Sequence, residues 1–92
     1  MDKFVVKLSP TATRDLDGFE DDVVRMVLDA LSVLKENPLP RGKLIKKIKG
    51  KKSTFYRLRV NKYRVVYSIE GTEVVLLKVI SKKDADKYIK NL

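Results

Sequence analysis

The chain has 92 residues, with 21 lysines and arginines against 12 acidic residues and a formal net charge of +9. It contains no cysteine and no histidine, which excludes disulfides, cysteine or histidine zinc sites and histidine-based triads. Its apolar residues form short periodic blocks without a membrane span, and no secretory signal pattern opens the chain. The composition predicts a single domain over residues 1–92 in the cytoplasm, with a polyanionic partner.

The first part of the chain predicts a strand and two helices. Apolar and other residues alternate over 3–8, as in a half-buried strand. Ser9 suits the N-cap and Pro10 the first turn of a short helix that should end at Gly18. A second helix should run from residue 21 to the Asn37-Pro38 pair, with an apolar stripe facing the core. The stripe consists of Val24, Val27, Leu28, Leu31 and Leu34.

The middle of the chain is strongly basic, whereas the second half is rich in residues that favour strands. Residues 38–53 contain many basic residues and no acidic one, and we interpret them as a basic connector that lies on the domain. Three later segments are rich in β-branched and aromatic residues and should form an antiparallel meander. These segments are 55–60, 63–69 and 74–80.

A two-residue loop at Asn61-Lys62 would place Arg59 directly opposite Arg64, with Arg57 beside them on the face away from the core. Like charges in this position destabilise a sheet by up to about 1 kcal/mol, so packing does not explain them. An anionic ligand would explain the three arginines, because guanidinium groups match phosphate oxygens. The alternative is a set of solvated arginines that pair in part with nearby carboxylates.

The position of Lys78 depends on the next loop. A loop of three residues would direct Lys78 to the arginine face, and a loop of two would direct it into the core. We expect three, since a buried unpaired ammonium is costly.

The last segment should be a helix capped by Ser81. Tyr88 is in phase with the apolar residues of this helix, so packing on the sheet is one reading of it. The order β-α-α-β-β-β-α predicts an α+β fold, with one sheet packed on helices and its other face partly open.

Several of these runs together resemble a known family. They are Lys49-Gly50, Tyr56-Arg57-Leu58-Arg59-Val60, Tyr63-Arg64-Val65-Val66-Tyr67, residues 73–80 and Tyr88. In this pattern the chain is similar, over almost its whole length, to the RelE branch of the RelE/ParE toxin superfamily. The resemblance implies a RelE-like fold and the toxin of a type II toxin-antitoxin system. Such a toxin cleaves messenger RNA in the ribosomal A site, by attack of a ribose 2′-hydroxyl on the adjacent phosphate, without metal or cofactor.

The resemblance also implies roles for individual residues. Its catalytic set falls on Arg57, Arg59, Arg64, Lys82 and Tyr88. Arg64 would stabilise the transition state, and Tyr88 would accept or orient the 2′-hydroxyl proton. The family often has lysines where this chain has Arg57 and Arg59, which can stabilise charge but cannot donate a proton. Further candidates for contact with RNA or the ribosome are Lys46, Lys47, Lys49, Lys51, Lys52, Lys78 and Lys83.

The expected partners are the ribosome, messenger RNA and a RelB-like antitoxin that covers the basic face or displaces the last helix. One alternative is a ParE-like toxin, which inhibits a DNA topoisomerase by binding. Another is a nucleic-acid-binding module, or an inactive relic of the fold. Simple binding would need exposed aromatic residues for base stacking, whereas the tyrosines of the strands are predicted on the core face.

Overall fold

The computed structural model describes residues 3–92, in which five strands form one sheet and three helices pack on it. The elements are β1 (Val5–Leu8), α1 (Pro10–Asp17), α2 (Asp21–Glu36), β2 (Ile45–Lys49), β3 (Thr54–Val60), β4 (Tyr63–Glu70), β5 (Glu73–Ser81) and α3 (Lys82–Lys90). The strand order is β1-β5-β4-β3-β2, with β1 parallel to β5 and the other pairs antiparallel. The predicted α+β class and helix-packed sheet are confirmed.

Local sequence signals place the ends of the first two helices correctly. The Ser9 hydroxyl accepts a hydrogen bond from the Ala12 amide at 3.1 Å, Pro10 opens α1, and Gly18 closes it. Helix α2 ends at Glu36, directly before the Asn37-Pro38 pair. No helix within residues 3–92 is long and apolar enough to cross a membrane.

The apolar stripe of α2 is rotated from the predicted one. Val27, Leu31 and Leu34 are buried in the core, as expected, but Leu28 is 49% exposed. Val23 and Ala30 pack against the core instead. The prediction for Leu28 was wrong because a regular 3.6-residue period fits two adjacent faces of this helix, and only packing on the sheet chooses between them.

The hairpin of β3 and β4 has the predicted register. Val60 pairs with Tyr63, Arg59 with Arg64, and Arg57 with Val66 around the two-residue loop. Asn61, the first loop residue, has a φ of 52°, in the left-handed region that asparagine tolerates better than most residues. Side chains alternate across a sheet, so the three arginines lie on the face opposite the core residues Leu58 and Val65.

The basic connector contains a strand that the sequence analysis missed. Residues 45–49 form β2, which pairs with β3 and places Lys46 beside Arg57. Ile45 is buried, and Ile48 lies three residues later, so the apolar residues do not alternate as in a half-buried strand. The two isoleucines therefore lie on opposite faces of the sheet. The sequence shows no alternation of apolar and polar residues here, so it did not indicate a strand.

The expected three-residue loop after β4 was also wrong. Glu70 pairs with Glu73 around the two-residue loop Gly71-Thr72, and a β-bulge between Val66 and Tyr67 then shifts the register. After the shift Lys78 pairs with Val66, so a bulge rather than a longer loop keeps it out of the core. The Lys78 ammonium does not join the arginines, because it forms an ion pair with Asp15 of α1 at 2.9 Å.

Helix α3 covers part of the arginine face of the sheet. The Lys82 amide donates to the Lys62 carbonyl at 2.7 Å at its start, and the Lys51 amide donates to the Leu92 carbonyl at 3.1 Å just beyond its end. Between these anchors Ala85 is buried. The face that we expected to be partly open is therefore divided between α3 and a cavity beside it.

Tyr67 provides a test of how the connector is held on the core. Its buried hydroxyl donates to the Pro38 carbonyl at 2.7 Å, and burial is the main cause that raises its pKa above the usual range. Tyr67→Phe should lower stability by about 1–2 kcal/mol at neutral pH, because the carbonyl loses its donor. An unfolded tyrosine ionises near pH 10, so wild-type stability should fall as the pH rises above about 10. Urea unfolding should show a smaller alkaline loss for Tyr67→Phe, and equal losses would contradict this assignment.

Candidate functional site

A cavity of about 400 Å³ lies between the arginine-bearing strands and α3. Six cationic side chains line it, together with one carboxylate and two apolar residues of α3. The cationic residues are Lys43, Lys46, Arg57, Arg59, Arg64 and Lys82, and the others are Ala85, Asp86 and Ile89. The structure thus brings together four of the five residues predicted as catalytic.

Arg64 is the most rigidly held cation of the cavity. It is only 7% exposed, although it carries a charge. Its Nη1 donates to the carbonyls of Asn61 and Tyr63, both at 2.8 Å, so the tight loop after β3 holds one edge of the guanidinium. A planar guanidinium has donors on its other edges, and Arg64 lines the cavity, so these donors can serve an anion there.

Six cationic side chains lie close together in the cavity, and the pKa values of two of its arginines are shifted. Burial lowers the pKa of Arg64 from its usual value, and the neighbouring Arg57 and Arg59 lower it further. The pKa of Arg57 is lowered by burial first and by Arg59 second. Asp86 acts in the opposite direction on both, because its negative charge favours the charged guanidinium. An anion bound in the cavity would relieve the same repulsion.

Three lysines bring ammonium groups to the cavity. Lys46 lies beside Arg57 on the neighbouring strand, and Lys82 is the first residue of α3. Lys43, just before β2, also lines the cavity, and the sequence pattern did not single it out. These lysines differ from the arginines because an ammonium can give up a proton more readily than a guanidinium.

Tyr88 does not line this cavity. It is half-buried on another side of α3, where it borders a shallow groove with Lys78, Ile80 and Lys87. Tyr88 does not belong to the main core cluster. Both the catalytic role and packing at the end of α3 therefore stay predictions.

The remaining predicted basic residues lie outside the cavity. Lys83 and Lys62 border a second pocket at the start of α3. The other lysines of the former connector are exposed; they are Lys47 and Lys49 on β2 and Lys51 and Lys52 on the loop after it. Lys47 pairs with Tyr56 and Lys49 with Thr54, so these two side chains point to the face of the sheet opposite the cavity. From Arg41 to Arg64 the chain has no acidic residue, so this part of the molecule is strongly positive.

Asp86 is the second residue that the sequence analysis missed. Lys82, Ala85, Asp86 and Ile89 share one face of α3 because they are spaced by three or four residues. Helical periodicity from Lys82 could therefore have placed Asp86 next to the predicted cations. The family resemblance favoured Tyr88 instead, although it lies on a different face of the helix.

The fold and the cavity together define a small α+β protein whose sheet carries a strongly cationic cavity beside its last helix. A family model described as "ParE toxin of type II toxin-antitoxin system, parDE" matches residues 6–86. The chain therefore belongs to the RelE/ParE superfamily and is a toxin of type II toxin-antitoxin systems. This confirms the family that the sequence resembles.

Individual relatives come from the RelE branch. The chain is 29% identical to the RelE1 protein of Methanocaldococcus jannaschii over 84 residues, which are 89% of this chain and 92% of the relative. A chain of the RelE-RelB complex of Pyrococcus horikoshii has a TM-score of 0.72 and 26% identity, with 87% of this chain and 96% of that chain covered. A chain of the RelBE2 toxin-antitoxin complex of Mycobacterium tuberculosis has a TM-score of 0.75 and 27% identity, with 86% of this chain and 98% of that chain covered.

Proposed function

We propose that this toxin is a ribosome-dependent endoribonuclease of the cytoplasm that cleaves messenger RNA in the ribosomal A site. The observation that carries the proposal is the convergence of Arg57, Arg59, Arg64 and Lys82 on one cavity. The RelE relatives support the choice of this branch of the superfamily. The substrate is a ribose phosphate linkage, because the cations match the charge of a phosphate.

In the proposed reaction the ribose 2′-oxygen attacks the adjacent phosphorus, and the bond to the 5′-oxygen of the next nucleotide breaks. Negative charge on the phosphoryl oxygens rises as the transition state is approached. Preorganised guanidinium groups stabilise that state more than the ground state, which is the condition for catalysis. Arg64 has the main role in this proposal, because two carbonyl contacts fix its orientation before RNA arrives.

Dependence on the ribosome has a physical reason in the lining of the site. The cavity is lined mainly by cations, with few other groups that could orient a flexible RNA. A ribosome that holds the codon in one conformation would supply this orientation, since positioning alone can contribute several kcal/mol. Exposed lysines of β2 and of the loop after it would then bind ribosomal or messenger RNA phosphates.

An antitoxin is the second proposed partner. The structural relatives come from RelE-RelB and RelBE2 complexes, so a RelB-like antitoxin is the expected type for this chain. An acidic segment could neutralise the cavity directly, or an amphipathic one could displace α3 from the arginine face. Either mode would remove the cavity that lies between α3 and the strands.

The test is to map 5′ ends on messenger RNA in a purified translation reaction with this protein, in the presence or absence of ribosomes. The proposal predicts new 5′ ends within codons only when ribosomes are present. Cleavage without ribosomes would remove the ribosome from the mechanism. Intact RNA in both reactions would contradict the nuclease assignment.

The second candidate function is inhibition of a DNA topoisomerase by binding. Two observations favour it: the matching family model is described as a ParE toxin, and Tyr88 lies outside the cavity. A supercoiling assay with purified gyrase distinguishes the two candidates. Inhibition of supercoiling with intact messenger RNA would select the topoisomerase inhibitor, and no effect in either assay would select an inactive relic.

A further inference from the structure

The cavity contains one acid among its cations, and the family resemblance assigns this acid no role. Asp86 is the single carboxylate among the lining residues in the part of the chain that the structure describes. It has no ion-pair partner within residues 3–92, since no lysine or arginine nitrogen there lies within 4.0 Å of it. Both of its oxygens are therefore available to a ligand.

We propose that the Asp86 carboxylate accepts the proton of the ribose 2′-hydroxyl in the cleavage reaction, a role that rests on the proposed nuclease function. The reaction needs an acceptor for this proton near the phosphate. Guanidinium and ammonium groups are already protonated at neutral pH and cannot accept one. Tyr88, which the resemblance favours for this role, borders a different groove. Asp86 is left as the acceptor within the cavity.

The surroundings of Asp86 suit this role. Its negative charge acts to raise the pKa of Arg57 and of Arg64, whereas the charge of Arg57 lowers the pKa of Arg64. A ribose phosphate between Asp86 and these arginines would place its 2′-hydroxyl on the carboxylate side and its phosphoryl oxygens on the cationic side. The charged residues that line a pocket together with Asp86 are Lys43, Lys46, Arg57, Arg59, Lys62, Arg64, Lys82 and Lys83.

The proton and bond balance is complete with water as the co-reactant. The 2′-hydroxyl loses its proton to Asp86, its oxygen forms a bond to phosphorus, and the phosphorus bond to the 5′-oxygen breaks. The leaving 5′-oxygen takes a proton from water, and Asp86 later returns its proton to the solvent. The products are a 2′,3′-cyclic phosphate and a 5′-hydroxyl end.

The test is single-turnover cleavage of a codon on programmed ribosomes, in which the rate at saturating toxin and the half-saturating concentration are measured separately. Asp86→Asn should lower the saturated rate by about 100-fold or more, the usual range for a lost general base. The half-saturating concentration should stay equal or fall, because the cavity becomes more positive. Asp86→Glu should restore part of the rate, because it keeps the carboxylate.

Asp84→Asn is the matched control, since it makes the same charge change on the same helix. Asp84 lies outside the cavity and accepts a hydrogen bond from the Ser81 hydroxyl at 3.2 Å, which an asparagine can also accept. It should cleave within about threefold of wild type. Melting temperatures should show that both variants are folded.

The outcomes separate this assignment from the nuclease proposal. Active wild type with equally active Asp86→Asn would overturn the role of Asp86 and leave the nuclease standing. A faster Asp86→Asn would also overturn it, because Asp86 would then compete with phosphate. A larger loss for Tyr88→Phe than for Asp86→Asn would transfer the role to Tyr88. Wild type that fails to cleave would overturn the nuclease proposal and the role of Asp86 with it.

Discussion

Arg64→Ala should lower the rate of messenger RNA cleavage on the ribosome by about 100-fold or more. This is the loss expected when one preorganised donor to a developing negative charge is removed. Arg64 is 7% exposed and oriented by two carbonyl contacts, so it does not need to be ordered when the substrate binds. Single-turnover cleavage by wild type and variant measures the effect.

Two further variants separate the charge of Arg64 from its geometry and from the net charge of the protein. Arg64→Lys keeps the positive charge but cannot make the forked contact, so its rate should lie between those of wild type and Arg64→Ala. Arg25→Ala removes one exposed arginine from α2, on the other side of the sheet, and should leave the rate nearly unchanged. Normal cleavage by correctly folded Arg64→Ala would exclude Arg64 from the mechanism.

Local signals were enough to predict the elements whose structure is determined by neighbouring residues. The Ser9-Pro10 start of α1 and the Asn37-Pro38 end of α2 depend on capping and on the backbone restriction of proline. The register of β3 and β4 follows from one two-residue loop and from side-chain alternation. Because this register was predicted correctly, the three arginines were also assigned correctly to one face of the sheet.

The features that were missed depend on contacts between distant parts of the chain. Strand β2 forms because its backbone pairs with the edge of β3. The spacing of its isoleucines does not indicate a strand by itself. The bulge leaves Leu77 of β5 without a partner in β4. Next to it Asp15 of α1 pairs with Lys78 and accepts a hydrogen bond from the Val79 amide, so this region depends on α1 packing beside β5. The sequence pattern of one element cannot indicate such a contact.

The site was predicted better for the strands than for α3. The strand arginines follow from register, but the position of Tyr88 depends on how α3 rotates on the sheet. Ala85 is buried and Ile89 lines the cavity, and this orientation turns Asp86 toward the arginines and Tyr88 away from them. A family resemblance transfers the residue type at a position, whereas the rotation of a short helix must be read from the structure.

The double substitution Arg57→Ala with Arg59→Ala should weaken binding of single-stranded nucleic acid by about 100-fold at low salt. Each arginine would lose a charge-assisted hydrogen bond to phosphate, worth about 1.5 kcal/mol or more. The dependence of log Kd on log salt concentration should become less steep by about 1.4, since each phosphate contact on a single strand contributes roughly 0.7. Fluorescence anisotropy with a deoxyoligonucleotide measures both effects, because the missing 2′-hydroxyl prevents cleavage.

A matched pair of substitutions distinguishes the cavity from the net charge of the protein. Arg25→Ala with Lys35→Ala also removes two positive charges, but from exposed positions of α2, which packs on the opposite face of the sheet. This control should change the salt dependence little, because these side chains do not reach a phosphate bound at the cavity. Equal changes for both pairs would mean that the nucleic acid responds only to overall charge, and the cavity would not be its binding site.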